Sequence, residues 1–354
     1  MLVIQEDMEH INDNSELWEN FNNKTIMITG ANGMLASYLT LAILYRVETH
    51  SDFCAKIVVV VRDKDKSKRL FSRYINSPSF TIIKADVCTP FIYDDNIDYI
   101  IHGASPASPH KFGRDPAGTI LPNVLGTYHL LELARLKKCR GFLYLSSGEV
   151  YGKLQDNTMI HEDTLGLVDP LDIRSCYSEG KRAGETLCKI WSEQYGVPAK
   201  IARISHTYGP TMDLSDDQRV FSEFVGNVIK NQNIVLKSDG NAERTFCYVS
   251  DAVYAFLLIL VHGSNGEAYN LCGDESVTVL ELANILTKLF PERNLSVIRQ
   301  ERKDANYLEV RFNSVNVRVD NSKLKQLGWR PTVLLKDGFT RTIFGIEEIS
   351  KNIK

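Results

Sequence analysis

The chain has 354 residues, 44% hydrophobic and 24% charged, with a formal net charge of −3. This is room for one large domain or two closely joined ones, and it gives no electrostatic reason to expect nucleic acid as a partner. No apolar run reaches the roughly 20 residues that cross a bilayer, and the N-terminus M-L-V-I-Q-E-D-M-E-H lacks the basic start and apolar core of a secretory signal. Seven cysteines (Cys54, Cys88, Cys139, Cys176, Cys188, Cys247 and Cys272) stand singly, without a C-x-x-C pair; they read as reduced thiols of a cytoplasmic protein and offer no zinc ligand set.

Residues 1–23 are polar and acidic with apolar punctuation at Ile11, Leu17, Trp18 and Phe21, which predicts an amphipathic helix lying against the main domain. A short β-branched run, Thr25 to Thr29, then enters the turn G-A-N-G-M-L-A and a helix near Met34. Gly30 permits the tight turn, Gly33 lets backbone approach a pyrophosphate, and Ala36 lets the helix pack on the strand. Gly30, Asn32, Gly33, Met34 and Leu35 are therefore candidate contacts of a dinucleotide. The second strand, Lys56 to Val61, ends in Arg62-Asp63-Lys64. An acid there would bind the ribose 2′-hydroxyl of NAD and an arginine the 2′-phosphate of NADP, so Arg62 tilts the choice toward NADP without settling it.

The third strand, Thr81 to Lys84, leads to Asp86 and Val87, candidates for the adenine side. The fourth, Tyr99 to His102, opens into G-A-S-P-A-S-P-H, a rigid loop at the sheet edge carrying Ala104 and Ser105. A helix from about Leu121 to Arg135 and a fifth strand, Gly141 to Leu145, follow, then S-S-G-E-V-Y-G. The alternation of short apolar strands with helices predicts a doubly wound parallel α/β sheet of Rossmann type over residues 24–205, with returning segments at about 235–265. A sixth strand, Ala199 to Ile204, begins the change to a smaller mixed α/β part over 206–345. Helices are expected near 219–231, 250–262 and 278–290, a strand at Gly266 to Leu271, and a short helix closed by Gly328 before Pro331.

The chemistry centres on S-C-Y-S-E-G-K-R, Ser175 to Arg182. Tyr177 and Lys181, four residues apart on a predicted helix, lie on one face. A lysine ammonium beside a phenol favours the phenolate, a base that can take a hydroxyl proton while hydride leaves the same carbon for a nicotinamide. Ser147, at the end of the fifth strand, is placed to hydrogen-bond the reacting oxygen.

With these residues in order, the chain resembles the extended short-chain dehydrogenase/reductases that act as nucleotide-sugar epimerases, dehydratases and decarboxylases. The resemblance rests on T-G-A-N-G-M-L-A, G-A-S-P-A-S-P, S-S-G-E-V-Y-G, C-Y-S-E-G-K, Y-G-P at 208–210, R-V at 219–220, R-T-F at 244–246 and L-G-W at 327–329, over roughly residues 22–332. It implies a tightly held NAD or NADP, oxidation of the sugar at C4, and a nucleotide diphosphate held by the C-terminal part through Arg219, Val220 and Arg244. It also implies a homodimer through the helices at Leu121–Arg135 and Tyr177–Tyr195.

Among its branches the chain most resembles UDP-glucuronate decarboxylases, with Glu149 supporting a decarboxylase or 4,6-dehydratase over a 4-epimerase. Gly148 stands where dehydratases carry an aspartate and decarboxylases usually a serine. His206 stands where the family commonly has asparagine, and Thr211 where it commonly has arginine. His206 is a candidate for the diphosphate or the sugar, and Arg318 or Arg311 for the sugar carboxylate. The expected function is a decarboxylase-like lyase; the alternatives are a 4,6-dehydratase or C4 oxidoreductase, a 4-epimerase, and, from another class, a non-catalytic cofactor-sensing protein.

Overall fold

The computed structural model describes residues 2–13, 15–155, 158–215, 217, 219–300 and 317–352. Seven parallel strands form the main sheet: β1 (Lys24–Thr29), β2 (Ala55–Val61), β3 (Phe80–Lys84), β4 (Tyr99–His102), β5 (Gly141–Ser147), β6 (Ala199–Ile204) and β7 (Ala268–Leu271). Their spatial order is 7-6-5-4-1-2-3, a doubly wound Rossmann-type sheet, as expected. Because helices cover both faces, the inner strands carry buried apolar runs such as residues 26–28, 57–61 and 142–145. Along β1, Ile26 and Ile28 face one core and Met27 the other, the period-2 alternation of a strand. The strand order reverses between β1 and β4, where Thr29 pairs with His102. Ligand crevices of such sheets open at that switch point.

Residues of the N-terminal segment anchor it to the body. Helix α1 (Leu2–Asn12) buries Val3, Ile4, Met8 and Ile11, and Trp18 and Phe21 beyond it are fully buried. Its buried Asp7 accepts hydrogen bonds from Tyr38, from Tyr248 (2.7 Å) and from Arg341 (2.7 Å). Tyr38 belongs to α2 (Met34–Thr49), and Arg341 to the C-terminal helix Leu335–Asn352, so one carboxylate ties the two ends of the chain to the first Rossmann helix.

Two departures from the sequence reading concern helices. The segment expected from Leu121 begins earlier, at Pro116, and runs through Pro116–Leu121, a π-turn at Pro122–Gly126 and α3 (Thr127–Leu136). Pro122 has no N–H to give to a regular turn, and a wider i→i+5 turn accommodates it. The helix Leu335–Asn352 was not anticipated, because its apolar face alternates with many charges. The long helix α4 (Cys176–Tyr195) follows expectation and ends at Gly196 in the left-handed conformation, φ 67°.

Beyond β6, strand His206–Tyr208 pairs in parallel with Glu243–Tyr248, which pairs antiparallel with Ser276–Thr278. Strand Val317–Val319 runs parallel to Thr158–Ile160. The helices expected near 219–231, 250–262 and 278–290 are observed at Val220–Ile229, Val249–His262 and Val279–Leu289.

Candidate active site

The cofactor side is built at the switch point. Gly30 adopts φ +72°, and a Cβ on it would lie 2.5 Å from the Gly103 carbonyl oxygen. Only glycine lets the turn after β1 pass this close to the loop after β4. Gly33 is the N-cap of the 16-residue α2 and provides no side-chain cap, so the first-turn amides and the positive helix end face the crevice. Met34 and Leu35 pack partly into the core behind them. Asn32 is held by donating to the Asp63 carbonyl (2.8 Å) and accepting from Ser67 (2.6 Å). At the end of β2, Arg62 is exposed, while the Asp63 carboxylate caps the next helix by accepting from the Lys66 N–H (2.9 Å). Asp86 accepts from the Cys88 N–H (2.9 Å), and the Val87 side chain is buried in the core. Ala104 lines the loop after β4, and the Ser105 hydroxyl accepts from Asn123 (2.8 Å).

On the other side of the crevice, β5 delivers Ser147 and a 3-10 turn, Gly148–Tyr151, carries Glu149. The Ser147 hydroxyl accepts from the Glu149 N–H (3.2 Å) and lies where it favours the ionised form of the Tyr177 phenol. Tyr177 opens α4, is buried, and stacks on Phe112 with centroids 4.5 Å apart and planes 12° from parallel. Lys181 lies one turn on, its Nζ 5.7 Å from the Tyr177 ring centroid, and donates to the Leu145 carbonyl (2.6 Å). Ser147, Glu149, Tyr177 and Lys181 therefore meet at one place.

The electrostatics differ from the simple expectation of a phenolate. Burial raises the Tyr177 pKa above its ordinary value and Glu149 raises it further, against the lowering effects of Ser147 and Arg219. Burial pulls Lys181 down to about 7. The ammonium is spent on a backbone carbonyl and sits in low dielectric, so desolvation outweighs its influence on the phenol. Glu149, 40% exposed along the crevice, is raised by desolvation against the opposing effect of Arg174.

The substrate side gathers His206, Arg219 and Arg244. His206 packs between Phe221 and Phe246, with centroids 5.8 and 5.7 Å away. Burial, then Arg244 and Arg219, hold it down to about 3, so the imidazole is neutral. Arg219 forms a bidentate pair with Asp217 (2.6–3.0 Å) and lies 4.5 Å from the Phe221 centroid. Val220, half-exposed, begins the next helix. Arg244 donates to the Glu243 carbonyl (2.6 Å), and exposed Arg318 pairs with the Glu243 carboxylate (3.2 Å). Arg311 lies outside the described residues. The Thr211 hydroxyl is buried with no hydrogen-bond partner among the described residues.

Sequence reasoning missed Phe112, Asn123 and Arg174. Asn123 is fully buried, donates to Ser105 and to the Thr119 carbonyl, and accepts from Tyr144 (2.9 Å). The signal for it was Pro122, whose place inside a helix marks an altered turn.

The family model described as the NAD dependent epimerase/dehydratase family matches residues 26–272. The chain belongs to that family. It is 33% identical over 321 residues to UDP-glucuronic acid decarboxylase 6 of Arabidopsis thaliana, covering 89% of this chain and 87% of that protein. It is likewise 33% identical over 321 residues to UDP-glucuronic acid decarboxylase 1 of Danio rerio, covering 90% of this chain and 72% of that protein. In fold it is similar to an epimerase from Methanothermobacter thermautotrophicus (TM-score 0.78, 21% identity, 96% of each chain). It is also similar to UDP-glucuronic acid 4-epimerase from Bacillus cereus in complex with NAD (TM-score 0.74, 24% identity, 92% of this chain and 99% of that one). The crevice fits the dinucleotide of this epimerase/dehydratase family, because the close Gly30–Gly103 approach and the uncapped N-terminus of α2 form a phosphate cradle.

Proposed function

We propose that the chain is a nucleotide-sugar-modifying enzyme of decarboxylase type, acting on UDP-glucuronate through oxidation at C4 of the sugar. The observation that carries this reading is Glu149 in one crevice with Ser147 and Tyr177, in a chain with near full-length similarity to UDP-glucuronic acid decarboxylases. Gly30, Asn32, Gly33, Met34 and Leu35 hold the dinucleotide, with Asp86, Val87 and Ala104 along its adenine and nicotinamide sides. When bound, it supplies a hydride acceptor.

Tyr177 takes the proton of the C4 hydroxyl, and Ser147 steers that oxygen. Lys181, near 7 in its buried setting, is placed to exchange a proton at neutral pH and, through Leu145, fixes α4 against β5. Glu149 acts at C5, beside the bond that is broken. Arg219, Arg244 and neutral His206 hold the diphosphate, and Arg318, on the strand beside Thr158–Ile160, is assigned to the sugar carboxylate by the resemblance to decarboxylases.

Mass spectrometry of purified protein with NAD and UDP-glucuronate tests this reading, with loss of carbon dioxide the expected result. Loss of water from a nucleotide hexose would instead mean a dehydratase, and an unchanged mass with altered stereochemistry an epimerase. Loss of two hydrogens would mean a C4 oxidoreductase, and no cofactor reduction with any nucleotide sugar a sensing protein. Gly148 speaks against dehydration, since the position next to Glu149 offers no acid.

The family description supports NAD. Exposed Arg62 and an Asp63 already engaged as a helix cap support NADP. Titration of the protein with each dinucleotide separates them. Leu121, Leu125, Tyr128 and Leu136 with Ile190 and Tyr195 leave an exposed apolar stripe along the two long helices, which supports a homodimer through them. A Leu125→Glu chain that still sediments as a dimer would exclude that interface. The absence of disulfides among the seven cysteines supports a cytoplasmic setting.

A further inference from the structure

Glu149 has one charge partner among the described residues, and it comes from a segment the motif reading left aside. Arg174 sits in the short turn Ile173–Ser175, immediately before α4. The turn is fixed from both sides: Asp172 accepts the Arg174 N–H (3.0 Å), and the Ser175 hydroxyl donates to the Asp169 carbonyl (2.6 Å). From it the guanidinium reaches within 3.8 Å of the Glu149 carboxylate, with 29% of its side chain exposed. It also lies 5.9 Å from the centroid of Phe112, the ring stacked on Tyr177. Gly148, the residue before Glu149, brings no side chain to the carboxylate.

We propose that Arg174 is a positioning residue for the reaction, holding the Glu149 carboxylate in the crevice and keeping it ionised, so that it can accept the proton that Tyr177 takes from the C4 hydroxyl and return it to C5 once carbon dioxide has left. The inference rests on the decarboxylase reading for the reaction and on geometry alone for the Glu149 contact. Three groups face Glu149: Arg174, the Tyr177 phenol and the Cys176 thiol. The latter two are neutral acids that its charge makes harder to ionise, so Arg174 is the group that offsets the protein walls' preference for a protonated carboxyl. The same arginine touches the ring that backs Tyr177, so one side chain positions both partners of the chemistry.

The test combines kinetics with a direct titration. In Arg174→Gln, kcat for UDP-glucuronate falls by at least about tenfold while KM changes less than about threefold, and the acid limb of kcat/KM moves to higher pH. Arg174→Lys, which retains the charge and the stem over Phe112, restores most of the rate and the position of the limb. In a Glu149→Gln background, Arg174→Gln costs nothing further. Carbon NMR of carboxyl-labelled glutamates, with the Glu149 signal assigned by its loss in Glu149→Gln, follows the carboxyl without substrate. Its titration moves upward in Arg174→Gln. An unmoved titration, or a loss confined to KM with an unmoved acid limb, overturns the proposal. If the unaltered enzyme leaves UDP-glucuronate intact while the Glu149 titration moves as described, the substrate reading falls and the positioning role stands.

Discussion

The helix α4 carries two polar clusters within three turns, and they are built on opposite principles. Toward its N-terminus, Tyr177, Lys181 and the neighbouring Glu149 are each pushed toward their neutral forms by the protein around them. One to two turns later, Glu185 receives a bidentate pair from Arg203 (2.7–3.1 Å) and a hydrogen bond from Ser146 (2.5 Å). Arg203 also donates to the Tyr151 hydroxyl and the Glu162 carbonyl, and Tyr151 donates to Asn270. Burial disfavours the Arg203 charge, yet Glu185 and Tyr151 hold its pKa above the ordinary value. The second cluster is a closed network in which every charge has its opposite. The first compensates its groups less than their burial demands, and the Lys181 amine, held near 7, can exchange a proton at neutral pH, the electrostatic mark of a reactive site.

If that contrast is right, mutations in the two clusters should separate activity from stability. Tyr177→Phe should lower kcat by about 10²–10⁴-fold with little change in melting temperature, since the ring stays stacked on Phe112 and only a hydroxyl is removed. A variant retaining near-normal turnover would move the reactive centre elsewhere. Arg203→Ala should behave in the opposite sense. It leaves Glu185 buried without its counter-charge, a loss of about 3–5 kcal/mol in chemical denaturation. A loss below about 1 kcal/mol would mean that the second cluster is more hydrated than its burial implies. Between these stands Gly30→Ala. At φ +72°, with Gly103 backbone 2.5 Å from the new Cβ, it should cost about 1–3 kcal/mol and weaken dinucleotide binding as the cradle opens. Calorimetric titration with NAD and a thermal melt check both.

The difference between the clusters also marks what the sequence could and could not convey. Tyr177 and Lys181 were legible because a four-residue spacing on a helix fixes their common face, and Gly30 and Gly33 because a strand–turn–helix needs glycine where backbones converge. The doubly wound sheet was legible in the alternation of short apolar strands with helices. The direction of the Lys181 ammonium was not, because it depends on the Leu145 carbonyl, 36 residues away. For the same reason Phe112 and Arg174 escaped notice: neither belongs to a spaced motif, and they meet Tyr177 and Glu149 only after three separate segments fold together. The Asp7 junction, which joins residues 334 apart, has no local signature at all.

The finest test of the contrast is the pH dependence of stability contributed by Lys181. A lysine at about 7 in the folded chain and at the ordinary 10.5 when unfolded binds fewer protons in the native state throughout that interval. By linkage the native state therefore gains stability as pH rises from about 7 toward 10.5. Below about 7 the buried ammonium is charged in both states, and its full desolvation cost is present. Lys181→Met keeps the length of the side chain and removes that cost. It should stabilise the protein at pH 7 by on the order of 1 kcal/mol while abolishing turnover. The difference between variant and parent cancels the titrations common to both, and it should shrink steadily toward pH 10. A difference that stays constant with pH would mean that Lys181 keeps its charge in the folded chain through its Glu185 neighbour. The two clusters would then form one continuous network along the helix.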